Sequence, residues 1–305
     1  MRYVKYIIDQ VRRETENEEV NDFIGIQDSE FLQYLNDAQS RLQSKIVAQH
    51  PSVFVEEVTI DIVSGQESYA LPSNAFLGNK VNNVEYSFTG NEEDFYTLEE
   101  ASLKRRSSGI EGSPSKYIRK SGKLLLAPVP SQGKIRINYI KRVLDLDLRR
   151  GLVKTAVSDV SSGATLELDN DNFTTSTTSL QEHQHICIVN AYGENKMKNI
   201  PLTSVNSATS LILGAHLAEA GESISVGDYV LGGKDATSHS DLPQNLERYL
   251  IAYCSWKILK RDSSVDSKEA ALELMQMEND ILDSYSVISD DIRNIPLIND
   301  DGWSI

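Results

Sequence analysis

Few residues in this chain have the types and spacing that chemistry requires. In the run "EHQHIC", His183, His185 and Cys187 stand two apart. Alternate side chains of a strand share a face, so these three make a candidate zinc set of two imidazoles and a thiolate. Consecutive ligands of that kind lie about 7 Å apart, wide for one tetrahedral ion without a bulge. No CxxC or HxxxH pattern supplies a fourth ligand, so the plainer reading is a strand with a polar face and one buried cysteine. "GDYVLGGKD" resembles a phosphate loop only loosely. Five residues separate Gly227 from Gly233, and Asp235 stands where a magnesium-ligating hydroxyl belongs. A turn at Gly232-Gly233 is the better reading. "DNDNF" at Asp169–Phe173 alternates oxygen ligands but lacks the glycine and distal glutamate of an EF-hand loop. There is no GxSxG, HExxH or GxGxxG, and the five histidines are scattered. The sequence therefore points away from an enzyme, and no cofactor or metal is assigned.

The 305 residues are long enough for two domains, and 40% hydrophobic with 25% charged content is ordinary for a globular protein. No apolar run is long enough for a membrane span, so no membrane partner is expected. The N-terminus lacks the pattern of a cleaved export signal. Cys187 and Cys254, far apart in the chain, read as buried thiols of a protein made in a cytoplasm. The net charge of −15 is unevenly spread. Residues 104–150 hold 13 Lys and Arg against 3 acidic residues, a local +10, so the remainder carries −25. That basic stretch, with Lys104, Arg105, Arg106, Arg119, Lys120, Arg149 and Arg150, is a candidate surface for an acidic partner.

The elements that must position these residues follow from periodicity. Val4, Ile7, Ile8 and Val11 form one helical stripe. A second helix is expected from Asp28, with Phe31, Leu32, Leu35, Ala38, Leu42 and Ile46 on one face, and Pro51 stops it. Val58, Ile60 and Ile62 alternate as a strand, "SGQE" turns it, and Tyr69 and Leu71 lie on the return. "KVNNVEYSFTG" with "FYTLEE" reads as a further hairpin. Turns at Ser121-Gly122 and Gln132-Gly133 separate three more strand-like runs, the last with Ile135, Ile137 and Tyr139 on one face. From about 151 to 240 the texture is Ser/Thr/Asn-rich with short strands, expected as a small all-β sandwich or barrel. Helices resume with Leu246, Tyr249, Leu250, Tyr253 and Trp256 on one stripe, then a last helix through Leu274, Met277, Ile281 and Tyr285. The fold class is α+β: a helical core with β-hairpins (1–150 and 241–305), an inserted all-β domain (151–240) and an extended C-terminal tail. That tail holds Ile292, Ile295, Pro296, Leu297, Ile298 and Trp303, too few to form a core and too apolar to stay solvated. They are expected to dock on a partner.

The segments "FLQYLNDAQSRLQSKIVAQHPSVF", "VTIDIVSGQESYALP", "KLLLAPVPSQGKIRINYI" and "LPQNLERYLIAYCSWKILKRD" resemble head-to-tail adaptor proteins of tailed bacteriophages, the connector rings below the portal of short-tailed phages. The matching features are Asn36-Asp37-Ala38 in the helix, Gly65–Pro72 as a "GQxxYxLP" hairpin, and Pro128–Tyr139 as "PxPxxxGxIxIxY". Ser52-Val53-Phe54 stands where the family often carries an aromatic pair, and the β segment 151–240 is extra to the minimal family form. The resemblance implies a structural virion protein at the head–tail junction, assembled in the host cytoplasm. It implies a homo-oligomeric, twelvefold ring that docks to the portal and meets tail or lower-ring proteins. Double-stranded DNA would pass without its bases being read, and the tail residues would anchor on the portal or a neighbouring subunit. A different class of function is a tail-appendage module whose β domain engages glycan or a fibre protein.

Overall fold

The computed structural model describes residues 3–15, 26–78, 80–102, 110–160, 163–169, 184–207, 209–216, 222–262, 264 and 266–293, with side chains as far as Tyr285. The described residues form an α+β protein with four α-helices, several sheets and a closed six-stranded barrel. Two compact units divide it: residues 43–142, and residues 1–42 with 143–305.

In the 43–142 unit the strands are Val55–Asp61 (β1), Ser68–Ala70 (β2), Val81–Ser87 (β3), Tyr96–Thr97 (β4), Glu99–Glu100 (β5), Lys116–Lys120 (β6), Lys123–Ala127 (β7) and Lys134–Ile140 (β8). They form two four-stranded sheets, β1-β8-β3-β4 and β2-β7-β6-β5. The expected face of β8 is the core face: Ile135, Ile137 and Tyr139 are buried with Val84 and Tyr86, against Tyr69, Tyr117, Leu124 and Leu126 of the other sheet. On the opposite face Arg136 pairs with Glu57 at 3.2 Å and Glu85 at 3.4 Å, also meets Glu92, and lies over the Phe95 ring. Ser121 and Gly122, both at positive φ, close the β6–β7 hairpin, and β3 pairs with β4 as expected.

Two expected hairpins take another form. Strand β1 pairs with β8 and β2 with β7, so the Gly65 turn carries the chain from one sheet to the other. Tyr69 holds that arch from inside, its hydroxyl bonded to the Val63 N–H (3.2 Å) and carbonyl (3.3 Å). Gln132-Gly133 likewise connects β7 to β8 across two sheets. A Cβ on Gly133, at φ +104°, would stand 2.3 Å from the Ser87 carbonyl oxygen, so this crossing admits only glycine.

In the second unit, Val4–Glu14 (α1) buries Val4, Ile7, Ile8 and Val11, the stripe read from the sequence. Asp28–Gln49 (α2), whose residues from Gln43 on belong to the 43–142 unit, buries its six expected apolar residues and ends before Pro51. Glu247–Arg261 (α3) and Ser267–Arg293 (α4) follow the strands, and α4 continues beyond Tyr285, so Ile292 lies within a helix. Buried Glu278 of α4 accepts from Tyr249 (2.7 Å) and from Arg41 (2.8 Å). Among the described residues no helix is long and apolar enough to cross a membrane.

The strands of this unit are Asp145–Leu146 (β9), Gly151–Val153 (β10), Thr165–Asp169 (β11), His185–Val189 (β12), Asn195–Ser207 (β13), Ser210–Leu213 (β14), Tyr229–Gly232 (β15) and Ala236–Thr237 (β16). The barrel runs β10-β11-β14-β13-β12-β15 around a core that includes Val153, Leu166, Leu168, Ile186, Ile188, Met197, Leu211 and Val230. Strands β12 and β15 are covered on both faces, because Cys187, Val189 and Leu231 pack outside the barrel against Ala236. That double burial explains the unbroken apolar "ICIV", where a half-exposed strand would alternate. Strand β16 lies parallel to β9, and Ser238 accepts the Val4 N–H, so residues 236–238 pack with the helices. The Gly233 turn therefore leaves the barrel instead of closing a hairpin.

Candidate functional site

Two of the candidate zinc residues, His185 and Cys187, lie in β12. His183 lies outside the described residues. His185, half-buried at the start of β12, has its pKa lowered by burial and by Lys234. Cys187 is fully buried among Val189, Leu231 and Ala236, and burial raises its thiol pKa, the opposite of a metal-binding thiolate. Its S–H is within 3.5 Å of the Gly233 carbonyl. Among the described residues no group of three His, Cys, Asp or Glu is placed to hold a metal ion. Asp169 ends β11, and the rest of "DNDNF" lies outside the described residues.

The basic stretch is divided between the units. Lys104, Arg105 and Arg106 lie outside the described residues. In the 43–142 unit, Arg119 of β6 grips Glu100 of β5 with two bonds of 2.8 and 3.0 Å, while Lys120 is exposed at the hairpin end opposite Lys123. In the other unit, Arg149 and Arg150 are built into the structure. The Arg149 guanidinium lies 4.5 Å from the Tyr3 ring centre and 4.0 Å from that of Tyr229, and donates to the Ala191 carbonyl at 2.6 Å. Arg150 makes a bidentate pair with Asp147, at 2.7 and 2.8 Å, with both side chains nearly buried. The same Asp147 carboxylate accepts the Gly232 N–H of β15 at 2.6 Å. Sequence reasoning missed this link. Its only local signal is an acid three residues before an arginine, which on its own reads as a solvated turn.

Beside Arg149, the His239 ring approaches Tyr3 with centres 5.8 Å apart, and Ser238 Oγ lies 2.9 Å from Nδ1. Burial, then the Arg149 charge, lowers the His239 pKa. A Cβ on Gly193 would fall within the His239 ring, so the β12–β13 turn there needs glycine. The next residue outward, Tyr192, is 82% exposed at the tip of that turn.

The 43–142 unit also presents an open surface feature. A groove of 530 Å³ is lined by Val47, Ala48, Pro51, Phe76, Leu77 and Ile140, with Lys80 and Asn82 also on its wall. A polar network fixes the loop that forms one side. Glu56 accepts from the Tyr139 hydroxyl (2.5 Å) and from Asn74 (3.3 Å), and Lys141 stands 3.5 Å away. Burial and the bond to Glu56 push the Tyr139 pKa up to about 12. Burial alone would raise Glu56, but the Tyr139 bond and the Lys141 charge outweigh it and hold its carboxyl low. Of the tail anchors, Ile292 lies in the last turn of α4, and Ile295, Pro296, Leu297, Ile298 and Trp303 fall outside the described residues.

A comparison with curated proteins finds no match. The family model for the SU10 adaptor protein matches residues 4–162, more than half of the chain, taking in α1, α2, the whole 43–142 unit and β10. On that match the chain belongs to the SU10 adaptor family, the head-to-tail adaptors of tailed bacteriophages.

Proposed function

We propose that the chain is a structural virion protein that forms a homo-oligomeric ring, docks to the portal and lines part of the DNA path from capsid to tail. The family match over residues 4–162 carries this reading. The resemblance further implies twelve copies and contact with tail or lower-ring proteins. DNA passing through such a ring must slide, so its contacts are to phosphates, weak and salt-dependent. Arg149 and Arg150 are already engaged with Tyr3, Tyr229 and Asp147. Arg119 is likewise paired with Glu100, so the phosphate-facing or acidic-rim role is proposed for Lys104, Arg105, Arg106 and Lys120. The tail residues Ile292, Ile295, Pro296, Leu297, Ile298 and Trp303 are proposed as anchors on the portal or a neighbouring subunit. Mixing the purified chain with its portal and imaging the product tests the reading. A ring stacked on the portal is expected. A chain that stays monomeric or trimeric with portal present overturns it, and a trimer that retains glycan would favour the tail-appendage function.

The barrel is proposed as a module inserted into the adaptor core. Replacing Leu152–Leu231 with a short Gly/Ser linker keeps Asp147, Arg150 and Gly232 in place, and closing such a loop costs little more than closing a short one. The variant should remain helical by circular dichroism and melt cooperatively. Its melting temperature should fall, because Ala236 and Arg149 lose their cover from Leu231, Tyr229 and Ala191. An aggregate without a cooperative melt would show that the barrel is integral to the core.

A further inference from the structure

A ring, on the adaptor reading above, requires each copy to receive something from the next. We infer that the groove of the 43–142 unit receives the tail segment Ile295–Ile298 of a second copy. The groove's 530 Å³ lies within the roughly 300–1,000 Å³ of pockets that take small apolar groups. Its wall is mostly apolar, and one side is made by an unusual residue. Leu77 is 76% exposed and sits at φ +52°, ψ +20°, the left-handed region that Asn or Gly occupies at lower cost. A leucine held there offers an apolar side chain to solvent, which is useful only when something covers it. The Glu56–Tyr139–Asn74 network holds that loop in place, so the groove is preformed.

The segment has the complementary chemistry. After α4 ends at Arg293, the chain continues with Asn294 and then Ile295-Pro296-Leu297-Ile298-Asn299-Asp300-Asp301. A proline at position 296 disfavours helical geometry in the residue before it, which argues for an extended segment here. Three large aliphatic side chains suit the lining. Asp300 would follow Ile298 by about 7 Å in an extended chain, a short reach to exposed Lys80 on the groove wall. The acids after the apolar run thus meet the one basic residue of that wall.

The test uses two chains, one without a usable groove and one without a tail. Leu77→Asp removes the apolar wall while suiting the left-handed backbone, so its melting temperature should match the wild type. A chain truncated after Ser289 lacks the segment. Neither should self-associate, yet an equimolar mixture at near-millimolar concentration should form a one-to-one complex, because one supplies the tail and the other the groove. Lys80→Glu in the tail-less chain should weaken that complex, and Asp300→Lys with Asp301→Lys in its partner should restore it. No complex in the mixture, or one indifferent to Lys80→Glu, overturns the inference. Wild-type rings on the portal together with no complex in the mixture would reject the groove assignment and leave the adaptor reading standing. A complex in the mixture without any portal-bound ring would do the reverse.

Discussion

Asp147→Ala should destabilise the barrel-bearing unit by about 3 kcal/mol or more, which lowers the melting temperature of a domain this large by roughly 6–12 °C. Asp147 does two things at once: it is the bidentate partner of Arg150, and it accepts the Gly232 N–H at the end of β15. Both side chains are less than a tenth exposed. Truncation to alanine therefore removes a carboxylate from beside a buried guanidinium and leaves a buried backbone donor without its acceptor. Breaking a buried pair from one side costs far more than the pair itself is worth. That asymmetry supplies the control. Asp147→Ala combined with Arg150→Met should recover much of the loss, since the buried charge goes with its partner. A single-variant loss below about 1 kcal/mol, within the range of exposed ion pairs, would mean that Asp147 is not the link between barrel and core.

Truncation after Ser289 should leave the melt of the monomer unchanged and abolish assembly. Ordering Ile295–Ile298 costs on the order of 1–2 kcal/mol per residue. Full burial of Ile295, Leu297 and Ile298 returns about 1.5–3 kcal/mol each. The two nearly cancel, so a single tail contact taken alone is very weak, with a dissociation constant of about 1 mM at best. A closed ring multiplies that contact, because each copy is held on both sides and local concentration replaces bulk concentration. Assembly should accordingly be steep in protein concentration and vanish outright without the tail. Analytical ultracentrifugation of the truncated chain, alone and with portal, measures the effect beside a thermal melt. A lowered monomer melting temperature with assembly intact would place the tail on its own subunit as a structural strap.

Much of this architecture was legible in local sequence. The stripes of α1, α2 and α3 were readable because helix burial repeats every three to four residues, and the same side chains prove buried, save Trp256, which is half-buried. The two-residue alternation of Ile135, Ile137 and Tyr139 specified the core face of β8 in the same way. The all-β texture after residue 150 was visible in composition and turn spacing, and the closed barrel is what it became. The basic stretch was equally plain as a charge count, yet the count could not say which charges were already committed. Arg149 between two tyrosines and Arg150 on Asp147 are decided by residues as distant as Tyr3 and Gly232.

By itself the sequence determined the α+β class, the faces of the helices, the position of the strands and the family grammar of Gly65–Pro72 and Pro128–Tyr139. Those properties depend on neighbours a few residues apart, where periodicity and turn chemistry act directly. Only the tertiary structure decided which strands pair. The Gly65 and Gly133 turns carry ordinary hairpin residues, yet each joins two different sheets. A turn fixes the local path of the chain. Whether the following strand folds back or crosses over depends on which distant edge buries its apolar face, and the closure cost of either choice differs little with loop length. Tyr69 settled it here, by placing its ring in the core between the sheets and its hydroxyl on the Val63 backbone.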